Sequence, residues 1–192
     1  MTGRWRGWLF PLTLAAALGG LSAWLGKISE INVEETALNP KVPQYAMTGI
    51  SGRRFDRQGA LSEELDAEAA WQLPKSDDVH FTNPKMQAYS QGRLLYRVGS
   101  RRAHYNTGSR LVSFEQNVTL IKAAESDRPA AELTTEQLDV DTVRKTASST
   151  QPVQFRYGES HGSSIGMTYD YEQGLLRLPS RVKATVYDPK IP

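Results

Sequence analysis

The sequence contains no cysteine, only three histidines, and no excess of charge of either sign. Without cysteine the chain forms no disulfide bond, offers no thiolate to a metal, and has no cysteine nucleophile. The 23 basic and 21 acidic residues give a formal net charge of +2, which provides no electrostatic basis for binding nucleic acid. A folded domain of this chain must therefore be stabilised by its apolar core, and we predict no metal and no cofactor.

Catalytic motifs are equally scarce. His80, His104 and His161 are isolated in the sequence, with no carboxylate or histidine at ligand spacing. Residues 158–162 read GESHG, which matches the G-x-S-x-G nucleophile elbow of α/β-hydrolases, but an alternating segment follows where the elbow needs a helix. We predict a polar turn between two strands and no enzymatic activity. A lipase-like enzyme centred on Ser160 is the alternative.

One long apolar run covers residues 7–26 (GWLFPLTLAAALGGLSAWLG) and contains no charged residue. A helix of 20 residues, at about 1.5 Å per residue, spans the roughly 30 Å hydrocarbon core of a bilayer. Arg4 and Arg6 precede the run and Lys27 alone follows directly, which favours a cytoplasmic N-terminus. We predict a cytoplasmic segment over 1–6 and a transmembrane helix over 7–26. A cleaved signal peptide is the alternative, and either one sends the rest of the chain across a membrane.

Residues 27–43 are polar and include Pro40 and Pro43, which predicts a tether. From residue 44 onward short segments alternate apolar and polar side chains, as in Val153 and Phe155 on either side of Gln154. Such alternation indicates half-buried strands, and turn signals rich in Gly, Pro and Asn separate the segments. The pattern predicts an all-β sandwich, barrel or roll over residues 44–192.

Residues 61–71 (LSEELDAEAAW) are ambiguous, because they combine good helix formers with a strand-like alternation. Leu61, Leu65 and Ala69 lie four residues apart, as on one face of a helix. In a strand, Leu61, Leu65, Ala67, Ala69 and Trp71 would share one face. Propensity favours a helix and the surrounding β segments favour a strand, and we predict a strand.

A weak internal repeat runs through the second half of the chain. Three apolar residues each stand 15 residues before a valine, and an apolar or aromatic residue follows two places after each start. The starts are Ala103, Leu138 and Met167, the residues two places on are Tyr105, Val140 and Tyr169, and the valines are Val118, Val153 and Val182. The pattern predicts a hairpin-like unit stacked on copies of itself.

The assembled pattern resembles the LptC family of lipopolysaccharide-export proteins. The resemblance is carried by Gly59-Ala60-Leu61-Ser62, by Phe81-Thr82-Asn83-Pro84, and by the 15-residue units with their closing valines. It implies an open, twisted β-jellyroll of the OstA/LptA type with an apolar groove and no catalysis. It also implies a single-pass protein of the inner (plasma) membrane with a periplasmic domain.

The resemblance implies that the domain accepts lipopolysaccharide from an inner-membrane ABC transporter and passes it to the periplasmic bridge protein LptA. Phe81 and Ile50 are predicted to line the groove from their positions in the family stretches, and Phe155, Met167 and Leu176 from alternation. For each of these residues a plain core role is the alternative. A membrane-anchored scaffold that binds protein partners without lipid is the alternative for the whole domain.

An open jellyroll leaves an unpaired strand at each end, where another chain could add to the sheet. The resemblance implies that the N-terminal edge, around residues 45–55, faces the transporter. The C-terminal edge, around residues 176–186, would face the bridge protein. The residues predicted for these edges are Tyr45, Met47, Phe55, Gly59, Leu178, Val182 and Val186.

Overall fold

A computed structural model describes residues 39–125 and 128–187, and within these residues the regular structure is entirely β-strand. The strands are β1 Tyr45–Phe55, β2 Leu61–Gln72, β3 Asp78–Thr82, β4 Lys85–Ser90, β5 Arg93–Gly99, β6 Arg102–Asn106, β7 Leu111–Lys122, β8 Ala131–Asp141, β9 Thr146–Tyr157, β10 Ser160–Asp170, β11 Leu175–Arg177 and β12 Ser180–Thr185. The predicted all-β class is confirmed.

The predicted segment 1–6, the predicted span 7–26 and the predicted tether up to residue 38 lie outside the described residues. Among residues 39–125 and 128–187, no helix has the length and apolar character needed to cross a membrane.

All twelve strands belong to one antiparallel sheet. Three long strands change partner halfway. Strand β2 pairs with β4 through its first half and with β3 through its second, β7 pairs with β6 and then β5, and β10 pairs with β12 and then β11. The sheet is thereby divided across its strands into two walls, one containing β3, β6 and β11 and the other containing β4, β5 and β12. In the described residues, β1 pairs with β2 alone, and β11 and β12 pair with β10 alone, so the sheet is open at both edges.

The walls meet along a line of backbone irregularities, which we call the crease. In β7, Gln116 and Asn117 have φ angles of 64° and 57°, at the register shift where the strand changes partner. In β10, Gly166 has a φ of 78° at the register shift against β9. Extra residues of this kind bend a strand and sharpen its twist. Since β8 and β9 also shift register here, the whole sheet bends along the crease.

Buried polar side chains bind the backbone at the crease. The Thr135 hydroxyl donates a hydrogen bond to the Pro152 carbonyl (3.0 Å), and its oxygen lies 3.2 Å from that of Ser149. The Ser164 hydroxyl donates to the Gly166 carbonyl at 2.9 Å. No buried side-chain nitrogen or oxygen in the described ranges lacks a partner. At two positions of the crease a side-chain hydroxyl thus supplies a donor to a backbone carbonyl, that of Pro152 and that of Gly166, as buried backbone groups require.

The bend brings distant strands of the sheet face to face. The hydroxyl oxygens of Tyr96 in β5 and Tyr169 in β10 are 3.0 Å apart, although β7, β8 and β9 separate the two strands in the sheet. Between the walls lies an apolar core of buried side chains. Its buried members are Val98, Ala103, Phe114, Val118, Leu133, Leu138, Ala147, Val153 and Met167. The face that carries them is called the inner face below.

The strand predicted over residues 61–71 is confirmed as part of β2, but its predicted face is only partly correct. Leu65 and Ala67 lie on the inner face, where Ala67 is buried. Beyond the crease the alternation shifts by one residue, so that Ala70 is buried and Trp71 lies on the outer face, stacked on His80. The prediction placed Ala69 and Trp71 on the wrong face because it assumed that side chains alternate strictly along the whole strand.

The predicted repeat corresponds to structural hairpins, β6–β7, β8–β9, and β10 with β11 and β12. The three starts, Ala103, Leu138 and Met167, are all buried. The closing valines Val118 and Val153 are buried as well, whereas Val182 is exposed because β12 is an edge strand. The repeat thus marks the inward positions of successive hairpins.

Gly162 in β10 permits a close approach that any side chain would block. A Cβ atom at Gly162 would overlap the carbonyl oxygen of Lys183 in β12 and lie 2.5 Å from Cζ of Phe155. At Gly52 the nearest atom to such a Cβ is the Leu65 carbonyl oxygen, at 3.9 Å. Gly162 is therefore required by the packing of β9, β10 and β12, and Gly52 is not.

We expect Gly162→Ala to lower the free energy of unfolding by about 1–3 kcal/mol, because a backbone carbonyl must move to admit the methyl group. Gly52→Ala, the matched control, should leave it unchanged or raise it by about 0.4–1 kcal/mol. The midpoints of urea unfolding, followed by tryptophan fluorescence, measure both. Equal destabilisation by the two substitutions would contradict this account.

Candidate functional site

The inner face carries a continuous row of residues from one open edge of the sheet to the other. Each member is the direct cross-strand partner of the next, so all share one face. This row, called row one, consists of Gly52, Leu65, Met86, Val98, Leu120, Leu133, Phe155, Gly162 and Ala184. Every side chain in row one is apolar or absent, so one wall presents an uninterrupted apolar strip.

A second row crosses the other wall in the same way. Row two consists of Tyr45, Gln72, Val79, Tyr105, Val112, Val140, Ala147, Tyr169 and Leu176. Gln72 is its one member with an amide side chain. Rows one and two lie on opposite sides of the crease, and the core residues fill the angle between them.

Two residues farther from the crease than row one, the inner face becomes polar. This rim row consists of Arg54, Glu63, Ala88, Tyr96, Lys122, Ala131, Tyr157 and Ser160. Arg54 and Glu63 form an ion pair. The inner face outside the packed core, called the groove below, therefore has an apolar floor and an amphipathic rim on one side, the arrangement expected for binding a molecule with an apolar body and a polar end.

The predicted groove residues Phe81 and Ile50 both lie on the inner face. Phe81 in β3 is half-buried, pairs with Ala70 and Ala103, and packs against the core. Ile50 in β1 is half-buried opposite Ala67, near the open edge. The structure places each on a different wall, and their contact with a ligand stays a prediction.

The three residues predicted from alternation have different surroundings. Phe155 is a half-buried member of row one whose ring lies over Gly162. Leu176 is an exposed member of row two on the edge strand β11. Met167 is 1% exposed and belongs to the packed core. Of the three, Met167 has no open surface to offer a ligand in this conformation.

The predicted edge residues are mostly exposed apolar side chains. At the N-terminal edge Tyr45, Met47 and Phe55 are exposed on β1. At the other edge the same is true of Val182 on β12 and of Val186 just beyond it. Exposed large apolar residues clustered at free strand edges mark interaction sites more often than chance exposure does.

The remaining two edge residues lie elsewhere. Gly59 is in the turn from β1 to β2, with a φ of 83° that suits glycine. Leu178 lies between β11 and β12 and packs against the core instead of facing solvent.

Sequence reasoning did not assign Leu65, Met86, Leu120 and Leu133 to the groove, although they are four of the nine members of row one. The alternation of apolar and polar residues indicates which side chains of one strand point inward. Membership of a row depends in addition on which strands are neighbours in the sheet and on their register. The turn at Gln91 and Gly92, both with positive φ, could have supplied one such link, since a two-residue hairpin loop fixes the register of β4 against β5.

The outer face brings together two histidines that are distant in sequence. The His80 ring stacks on Trp71 at a centroid distance of 4.0 Å and lies 5.9 Å from the ring of His104. Burial, followed by the neighbouring His104, lowers the pKa of His80. In the part of the chain that the structure describes, no cluster of metal-ligating residues occurs.

The GESHG segment forms a strand–turn–strand hairpin between β9 and β10, as predicted, and not a strand–turn–helix elbow. The Ser160 hydroxyl oxygen accepts a hydrogen bond from the backbone N–H of Tyr187 at 3.0 Å. Ser160 and His161 are consecutive strand residues, so their side chains point to opposite faces. The geometry of a serine nucleophile and its base is not assembled here.

Because the native chain has no cysteine, a single introduced cysteine reports the accessibility of one groove position. We expect Leu176→Cys to react readily with a maleimide reagent in the folded protein. Met167→Cys should react slower by about 100-fold or more, because labelling requires the core to open. Both should react at the same rate in denaturant, and rapid labelling of Met167→Cys in the folded state would show that the core at β10 is open.

Comparisons with known proteins agree with this architecture. The sequence matches the family described as "Lipopolysaccharide-assembly, LptC-related" over residues 12–188. No curated protein sequence matches the chain. The fold is similar to that of LptH from Pseudomonas aeruginosa, the LptA-homologous periplasmic component of the conserved lipopolysaccharide transport device. The TM-score is 0.53 with 7% identity, over 66% of this chain and 95% of that chain, so this likeness shows a shared fold.

The family match covers nearly the whole chain and confirms the resemblance found in the sequence. The chain belongs to the LptC-related family of lipopolysaccharide-assembly proteins, and its function is in lipopolysaccharide transport.

Proposed function

We propose that the β domain carries lipopolysaccharide along its inner face, from an inner-membrane ABC transporter to a periplasmic bridge protein of the LptA type. The observation that carries this proposal is the pair of rows that cross the sheet from edge to edge. Apolar residues continue along the inner face to both open edges, where Met47 and Leu176 are exposed. A lipid entering at one edge would find apolar contacts as far as the other.

The energetics of acyl chains favour such a path. Each methylene group that leaves a bilayer for water costs about 0.8 kcal/mol, so a lipid with several long chains cannot cross an aqueous compartment unshielded. The inner face offers apolar cover for the chains. The rim row, with Tyr96 and Lys122, would adjoin the polar end of the lipid.

The same proposal includes the N-terminal anchor. Residues 7–26 would cross the inner membrane with residues 1–6 in the cytoplasm, and 27–43 would tether the periplasmic domain 44–192. The family match begins at residue 12, inside the apolar run, which supports this run as part of the family's architecture. The transport role needs no catalytic group, and the hairpin around Ser160 fits that reading.

The two open edges would bind different partners. We propose that β1 adds to the transporter's periplasmic portion and that β12 adds to the bridge protein, so that the grooves join end to end. The exposed apolar side chains at each edge, such as Phe55 and Val182, support these edges as interfaces. A scaffold that binds proteins without lipid would also use edges, but it would not need an apolar inner face that stays exposed at both ends.

A photoreactive amino acid at Phe81 should crosslink to lipopolysaccharide in cells, with a yield that rises with ATP hydrolysis by the transporter. The matched control is Thr82, the next residue of β3, which lies on the outer face. We expect the lipid adduct at position 81 only. Protein adducts alone at position 81, with the domain folded, would favour the scaffold.

The partner assignment of the edges is tested by placing a charge on each. Val182→Asp on β12 should weaken binding of the full chain to the purified bridge protein by about tenfold or more, because a carboxylate would be buried in the added sheet. Met47→Asp on β1 should leave that binding unchanged and should reduce co-purification with the transporter instead. The reverse pattern, or equal effects of both substitutions on one partner, would overturn the assignment.

A further inference from the structure

The only direct hydrogen bond described between side chains of β5 and β10 joins Tyr96 to Tyr169 across the groove. The rings meet edge-on, with centroids 6.2 Å apart, and both side chains are half-buried. Tyr96 belongs to the rim row and Tyr169 to row two, so the contact lies on the mouth side of the apolar core. Anything that occupies the groove at this position must separate the two hydroxyls.

A lysine stands beside this tyrosine pair. Lys122 in β7 is the direct cross-strand partner of Tyr96. Lys122 lies two residues from Leu120 and Tyr96 two residues from Val98, so both are on the inner face. Lys122 is half-buried. Among the ion pairs of the described residues, Arg54 is bound to Glu63, whereas Lys122 has no carboxylate partner. The mouth of the groove therefore combines one ammonium group with two phenol donors directly beside the apolar floor.

We propose that Tyr96, Tyr169 and Lys122 form a binding site for a phosphate group on the headgroup of the transported lipid. This inference rests on the proposed carrier function and adds to it a site for the polar end of the ligand. In the free protein one tyrosine hydroxyl donates to the other, so each hydroxyl has a partner while the groove is empty. In the loaded protein a phosphate oxygen would accept hydrogen bonds from both hydroxyls and from the Lys122 ammonium.

The chemistry of the three groups favours an anion over a neutral sugar. Separating two half-buried hydroxyls is costly unless each finds a new partner, and an ionised acceptor forms the stronger bonds. Burial, and then the hydrogen bond to Tyr169, raises the pKa of Tyr96 far above its ordinary value, with Glu125 adding to the effect. Tyr96 therefore remains a protonated donor at every physiological pH. Lys122 supplies a positive charge that opposes the negative charge of Glu125, and with the two hydroxyl donors it favours a negative ligand with several acceptor oxygens.

The test compares two lipids that differ only in phosphate. The full-length chain in amphipol is titrated with phosphorylated lipid A and with the same lipid after enzymatic dephosphorylation. We expect the native protein to bind the phosphorylated form about tenfold more tightly. Lys122→Gln should abolish this preference while retaining affinity for the dephosphorylated lipid, and Lys122→Arg should restore it. Lys85→Gln, which removes an exposed lysine from the outer face of β4, is the matched control and should retain the full preference.

The tyrosines are tested by the double substitution of Tyr96→Phe with Tyr169→Phe, which keeps the rings and removes both hydroxyls. We expect it to lower affinity for the phosphorylated lipid and to leave affinity for the dephosphorylated lipid unchanged or higher, since the bond that binding must break is gone. An unchanged phosphate preference in Lys122→Gln would overturn the proposed site, although the carrier function would stand. Failure of the native protein to bind either lipid would instead contradict the carrier function itself.

Discussion

The fold depends on satisfying the backbone where the sheet bends. A bulge removes N–H and C=O groups from the strand ladder, and a buried group left without a partner costs about 1–3 kcal/mol. At the bend the hydroxyls of Thr135 and Ser164 donate to backbone carbonyls, and that of Ser149 accepts a hydrogen bond from a backbone N–H. Their short polar side chains allow several consecutive strands to bend along one line. The two walls, the core between them and the groove all follow from that line.

The second constraint is that the sheet never closes. A closed barrel would hide its edges and also seal its interior, whereas this sheet keeps a free strand at each end of the groove. Exposed apolar side chains such as Met47 and Val182 would be an aggregation hazard in a protein that acts alone. The proposed partners would cover these side chains by completing the sheet at each edge. In the proposed carrier function, the same openness that makes the edges vulnerable would give a lipid its entrance and exit.

Much of the fold was predictable from local pattern, and most of the site was not. Alternation around Val153 and Phe155 predicted strands correctly, and the repeat of Ala103, Leu138 and Met167 marked inward positions of successive hairpins. In β7 the bend was invisible, because Gln116 and Asn117 adopt positive φ angles without the glycine that usually announces them. The alternation of β2 shifts by one residue at the same bend, so a strict period of two misplaced Ala69 and Trp71. Contacts between walls, such as Tyr96 with Tyr169, depend on the bend and so could not be read from single strands.

Row one has a consequence for motion. Its strands cross the groove, so a lipid moving from edge to edge would pass one strand about every 4.8 Å and would meet no polar side chain of row one on the way. Leu65, Leu120 and Leu133 are nearly equivalent in what they offer a hydrocarbon chain. A track of equivalent sites has little slope in free energy, so it permits sliding in both directions. In the proposed carrier function the domain itself would supply no direction of travel, and net movement would come from loading at one end and removal at the other.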